Sequence, residues 1–194
     1  MKRFFSKPDY QINPDGVNTI EELLIGSIKQ SILLQGQKVD NPILLFLHGG
    51  PSMPLPGVSS RGRDYTLATN TKNLVKHFIL VFWDQRGTGR SYHPNIPKDT
   101  MNVKQFVADT IELTNYLCNK FSQGRIHLAA HSWGTIPGLM AVHKRPDLYY
   151  TYTGLSQIVN WAENDRISYP WVLKEANKRK NRKALEELSS VGAP

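Results

Sequence analysis

The chain has 194 residues, 40% of them hydrophobic and 10% aromatic. This composition excludes a disordered polypeptide and suffices for one domain with a sizeable core. A single cysteine, Cys118, excludes an intrachain disulfide framework and reads as a small buried side chain. The formal net charge is +8, and the basic opening Met1-Lys2-Arg3 is not followed by the apolar stretch of a signal peptide. No apolar run approaches a membrane span, so a soluble, cytoplasmic protein is expected.

Two short apolar stretches come first, Leu23–Ile25 and Ile32–Leu34, punctuated by Gly26 and Gly36. They predict an antiparallel pair at a sheet edge. The runs Ile43–Leu47 and Phe78–Trp83 are apolar without alternation, as in parallel strands covered on both faces. Between 103 and 117 the period changes. Val103, Phe106, Val107, Thr110, Ile111, Thr114 and Leu117 mark one face of a helix, and Asn102 with Gln105 predicts a capping box at its start. A strand over Ile126–Ala130, a helix over Trp133–Lys144 ended by Pro146, and a strand over Tyr149–Val159 follow. Residues 161–190 are polar and helix-prone. The expected fold is therefore α/β, a doubly wound and mostly parallel sheet with right-handed crossovers. Residues 1–160 would form the core, and residues 161–194 the start of a helical insertion after the sixth strand.

Three motifs carry chemistry. Ala130-His131-Ser132-Trp133-Gly134 sits between a predicted strand and a predicted helix, the context of a nucleophile elbow written G-x-S-x-G. Small residues flank the serine because the turn is sharp and strained, and alanine stands here for the first glycine. His48-Gly49-Gly50-Pro51 directly follows the Ile43–Leu47 strand. Its glycines would let a backbone N–H approach a reacting carbonyl. A tetrahedral oxyanion needs two such donors, read here as the amides of Gly50 and Trp133. The third motif is Asp84-Gln85-Arg86-Gly87-Thr88-Gly89-Arg90-Ser91. A dinucleotide fingerprint fails because Tyr92 replaces the last small residue and no helix opens at once. The stretch reads instead as a structured loop beside the site.

These motifs, in this order, resemble the proline iminopeptidase group of α/β-hydrolases, over about residue 20 to the end. The resemblance implies a serine hydrolase of the aminopeptidase type that cleaves an N-terminal residue, often proline, through an acyl-enzyme on Ser132. It also implies a helical cap after the sixth strand and no cofactor or metal. The wider group cleaves esters, amides and lactones as well. Two departures, Ser52 after the His-Gly-Gly-Pro run and Ala130 in the elbow, are both small residues.

In this fold the acid and the histidine of the triad follow the serine in chain order. Of the six histidines only His143 does. Eleven residues along one helix, it would lie roughly 16 Å from Ser132. His131 adjoins the serine, but neighbouring side chains at a turn diverge. Asp147 reads as a post-helix turn residue and Asp165 as cap surface. His127 and His131 lie on a strand and form no metal-ligand set. The triad acid and base are thus expected outside the chain, which would be truncated before the last two strands and poorly active alone. The alternatives are an inactive or binding remnant of the fold, or an esterase or lactonase built on it. The expected partner is a small peptide or ester substrate, with no nucleic acid and no membrane. The six bases Lys174, Lys178, Arg179, Lys180, Arg182 and Lys183 read as a solvated helix face without interleaved aromatics. The sequence leaves the oligomeric state open.

Overall fold

A computed structural model describes residues 10–63 and 70–194; the basic N-terminal opening lies outside them. The chain divides into two compact units, Met1–Gln157 and Ile158–Pro194.

In the first unit, β1 (Val17–Ile25) and β2 (Ile28–Gly36) form an antiparallel hairpin in unbroken register from Val17 opposite Gly36 to Ile25 opposite Ile28. It is longer than its two apolar patches suggested. The alternating, half-exposed character of β1 hides the flanking residues from a search for apolar runs. β3 (Ile43–Leu47), β4 (Ile79–Asp84), β5 (Ile126–His131) and β6 (Tyr149–Leu155) complete a six-stranded sheet of order β1-β2-β4-β3-β5-β6. β2 meets β4 antiparallel, and the β4-β3, β3-β5 and β5-β6 pairs are parallel. The β6 strand stops at Leu155, four residues before the expected end. Ser156 there takes a positive φ of 53°, which ends extended backbone.

The helices are α1 (Thr71–Leu74), α2 (Val103–Lys120) and α3 (Thr135–Lys144). The α2 cap is half of the expected box. Asn102 Oδ1 accepts from the Gln105 amide at 3.0 Å, but the Gln105 side chain donates to Asp109 at 2.7 Å instead of reaching back. The α3 helix begins two residues after Trp133, because Ser132–Gly134 form a 3-10 turn first.

The apolar strands fill two cores. Ile79, Val81 and Trp83 of β4 pack with Val107, Leu113 and Leu117 of α2 and Ala141 of α3 on one face. Leu80 and Phe82 pack with Val58, Leu74 and Val75 on the other. This distribution follows from handedness. The chain moves from β3 leftward to β4, then rightward to β5 and β6, and right-handed crossovers put the first connection opposite the other two. Among the described residues, the second face is thus covered by α1 and the loop around Val58. The loops leaving β3 and β5 part toward opposite faces, and their strands are neighbours. A crevice must open between their carboxyl ends.

The second unit contains α4 (Trp161–Lys178) and α5 (Arg182–Val191). Asn160 and Asn181 cap them by accepting from the amides of Glu163 and Ala184. The Tyr169 hydroxyl donates to the Leu188 carbonyl at 3.0 Å. Lys178 and Arg179 reach Glu175, and Lys183 reaches Glu187, so these bases lie along exposed helix faces. No helix among the described residues is long and apolar enough to cross a membrane.

Candidate active site

The crevice at the end of β3 and β5 is built from backbone. β5 runs extended to His131 (φ −121°, ψ 132°), and Ser132 then turns into the left-handed region at φ 50°. A residue with a side chain is strained in that conformation, and here it lifts Ser132 out of the sheet at the carboxyl end. Gly134 must be small because a Cβ would sit 2.5 Å from the Leu47 carbonyl oxygen and 2.7 Å from that of His48. Ala130 is fully buried, and its methyl is accommodated beside Gly138, whose own Cβ would lie 3.2 Å from it. Alanine at the elbow thus meets a glycine on α3.

The β3 loop closes over this turn. A Cβ on Gly49 would be 3.1 Å from Ser132 Cβ and 3.1 Å from His131 Nδ1. Gly50 has φ +123°, and a Cβ there would fall 2.3 Å from the Ser52 nitrogen and 2.6 Å from that of Met53. Only glycine fits such a turn. Gly49, Gly50, Met53, Leu55, His131 and Ser132 line one cavity of about 120 Å³.

Ser132 and Gly50 therefore share a cavity. Trp133 follows in the same turn, with its indole set edge-on to Phe106 at 5.7 Å. The His131 ring lies near Gly49 and lines the same cavity, since a Cβ on Gly49 would approach both its Nδ1 and Ser132 Cβ. Among the described residues, none hydrogen-bonds the Ser132 hydroxyl. His143 is exposed on α3, and Asp147 pairs with Arg145 at 2.6 Å. No group of three potential metal ligands occurs among the described residues.

Beneath the cavity lies a buried polar layer that the motifs marked without revealing its bonds. His48 is fully buried. Its Nδ1 is 2.7 Å from the Gly49 carbonyl oxygen, and its Nε2 accepts from the Gln85 amide at 3.2 Å. A carbonyl can only accept and an amide N–H can only donate, so the ring is neutral and carries its proton on Nδ1. Burial pushes its pKa down to about 4. Asp84 accepts from the amides of Val58 and Arg90, both at 2.8 Å. Cβ atoms on Gly57 and Gly89 would fall within 2.6 and 2.2 Å of its carboxylate oxygens. Burial raises its pKa against those two bonds.

Residues 42–184 match the alpha/beta hydrolase fold family. The chain belongs to the alpha/beta hydrolase fold family. It is 41% identical over 176 residues to a Bacillus subtilis (strain 168) protein named "Probable aminopeptidase", a match that covers 90% of this chain and 52% of that one. The chain thus spans about half the length of this curated relative. Among solved structures of the fold, a proline iminopeptidase-related protein from Thermus thermophilus superposes with a TM-score of 0.62 at 24% identity, over 87% of this chain and 59% of that one. An epoxide hydrolase from Vigna radiata superposes with a TM-score of 0.54 at 25% identity, over 74% and 41%. The chain is therefore a relative of an aminopeptidase-named protein, and its six-stranded, mostly parallel sheet is of the alpha/beta hydrolase fold.

Proposed function

We propose that Ser132 is the nucleophile of a serine hydrolase and that the whole protein is an aminopeptidase of the proline iminopeptidase type. The observation that carries this is the left-handed Ser132 at the switch point of the sheet, facing one cavity with Gly50. Ser132 Oγ attacks the carbonyl carbon of an N-terminal residue and forms an acyl-enzyme, the amine leaves with a proton, and water releases the acid. The amides of Gly50 and Trp133 stabilise the tetrahedral oxyanion. We read the base that takes the Ser132 proton as lying outside these residues, since in this fold the acid and the histidine follow the serine in chain order. The His48 ring is occupied at both nitrogens, and His143 is on the far turns of α3. The identity to an aminopeptidase-named protein supports the peptidase reading. The Ile158–Pro194 unit is read as the start of the cap, and the substrate as a small peptide, in a soluble cytoplasmic setting.

The second reading is an esterase or lactonase built on the same site, supported by the superposition of an epoxide hydrolase on this fold.

The test is the purified 194-residue chain with a proline aminopeptidase substrate, a short-chain ester and a fluorophosphonate probe, beside Ser132→Ala. The expected outcome is weak turnover and weak labelling, both lost in Ser132→Ala. Equal labelling of the two proteins would remove Ser132 from its role. Robust turnover lost in the variant would place a base within these residues. A preference for the ester over the peptide would favour the second reading.

A further inference from the structure

Gln85 grips His48 at two points. Its backbone amide donates to His48 Nε2 at 3.2 Å, and its side-chain Nε2 donates to the His48 carbonyl oxygen at 3.0 Å. The amide orientation is not arbitrary, since the flipped form would set two acceptor oxygens against each other. Gln85 is itself held, because its carbonyl accepts from the Thr88 amide at 2.9 Å and from the Thr88 hydroxyl at 2.7 Å. Both Gln85 and His48 are fully buried. The same His48 carbonyl oxygen lies where a Cβ on Gly134 would come within 2.7 Å. Gln85, the β3 loop and the elbow thus converge on one carbonyl. Beyond it, His48 Nδ1 donates to the Gly49 carbonyl at 2.7 Å, which fixes the peptide plane joining Gly49 to Gly50. That plane carries the Gly50 amide.

We infer that Gln85 is a positioning residue for the oxyanion donor of Gly50, acting through His48 and the Gly49–Gly50 peptide. It touches no substrate. The inference rests on the reading of Gly50 given under the proposed function, but the grip itself is a property of the folded chain and can be measured without turnover. Glycine at 49 and 50 gives the loop wide conformational freedom, so a donor aimed at one point needs an external constraint. The fully buried Gln85 side chain, bonded through its Nε2 while its Oε1 meets no donor among the described residues, supplies that constraint.

The test uses the 194-residue chain with Gln85→Met, which keeps length and removes the amide, and Gln85→Glu, which keeps shape and turns the donor into an acceptor. Gln123→Met is the control, since it removes a comparable bond to the Asn41 carbonyl before β3. Nuclear magnetic resonance follows the His48 Nδ1 proton and the Gly50 amide. In both Gln85 variants the His48 proton should exchange with water about 10-fold faster or more, and the Gly50 cross-peak should move, while strand amides of β3 and β5 keep their protection. The control should leave both signals unchanged. Unchanged His48 and Gly50 signals in a folded Gln85 variant would overturn the inference. Should neither variant fold, the wild-type chain decides. The Gln85 amide and the His48 proton should then show protection factors, each relative to its own intrinsic rate, within about 3-fold of each other, and independent factors would overturn the clamp. Fluorophosphonate labelling separates the two proposals. No labelling of the wild type sinks the Ser132 reading and leaves the clamp to the His48 signal. Where the wild type labels, the Gln85 variants should label about 10²-fold more slowly, and an equal rate would sink the positioning role.

Discussion

His48 sets the pH behaviour of the site at the residue scale. Its folded pKa of about 4 lies below the ordinary value of 6.5, so the unfolded chain binds more protons between those values. The stability that His48 contributes is complete above pH 6.5 and is lost as pH falls toward 4, by about 3 kcal/mol at most. Urea midpoints should decline over that window, and the His48 ring should stay neutral in a titration followed by its own resonance. A ring that titrates near 6.5 would contradict the bonds drawn to Gly49 and Gln85. Gly134 makes a steric prediction. Gly134→Ala puts a methyl against the immovable Leu47 and His48 carbonyls and should cost about 1–3 kcal/mol in urea denaturation. Gly138→Ala, facing side chains that can yield, should cost less. The backbone turns at Ser132 and Gly50 and the tight fit at Gly134 were legible in the sequence, because small residues mark such places. The grip of Gln85 on His48 was not, since nothing in Asp84 through Ser91 says which of its polar groups turns inward.

Arg86 and Asp109 join elements that are far apart in the chain. Arg86 Nε meets Asp109 Oδ2 at 2.8 Å with both side chains fully buried, and Arg86 also donates to the Gly26 carbonyl at 2.8 Å. Gln30 donates to Asp109 at 2.8 Å and accepts from the Trp83 indole at 3.0 Å. The β1-β2 turn, β4 and α2 are thus stitched by one polar knot inside an apolar layer. Asp109→Ala leaves a buried guanidinium unpaired and should cost about 3–5 kcal/mol. An Arg86→Met, Asp109→Leu pair should cost less than the single change, and additive costs would show that the two charges act independently. Periodicity placed α2 well, because one apolar face runs its length. It could not show that Asp109 interrupts this face with a charge directed inward. The late start of α3 was likewise invisible, since a 3-10 turn and an α-helical turn share the same residue preferences.

For the whole molecule, the strand order decides both the crevice and the sheet's outer rim. Parallel strands read correctly from continuous apolar runs because α2, α3 and the Val58 loop cover both faces. The thin second layer was not legible, since loop residues carry no period. Among the described residues β6 pairs with β5 alone, and Tyr150, Thr151 and Thr153 on it are exposed. Such a strand invites pairing with another chain. The 194-residue chain should therefore associate as its concentration rises, and Thr153→Lys should reduce this in sedimentation or light scattering. Association unaffected by that charge would place the contact elsewhere. The cavity has a consequence of another kind. Its proposed oxyanion donors are main-chain amides, which every residue except proline possesses, so few base changes in the gene can delete them. Met53, Leu55 and His131 supply the replaceable wall. Substitutions at those three positions would therefore reshape the cavity and leave its main-chain lining as it was.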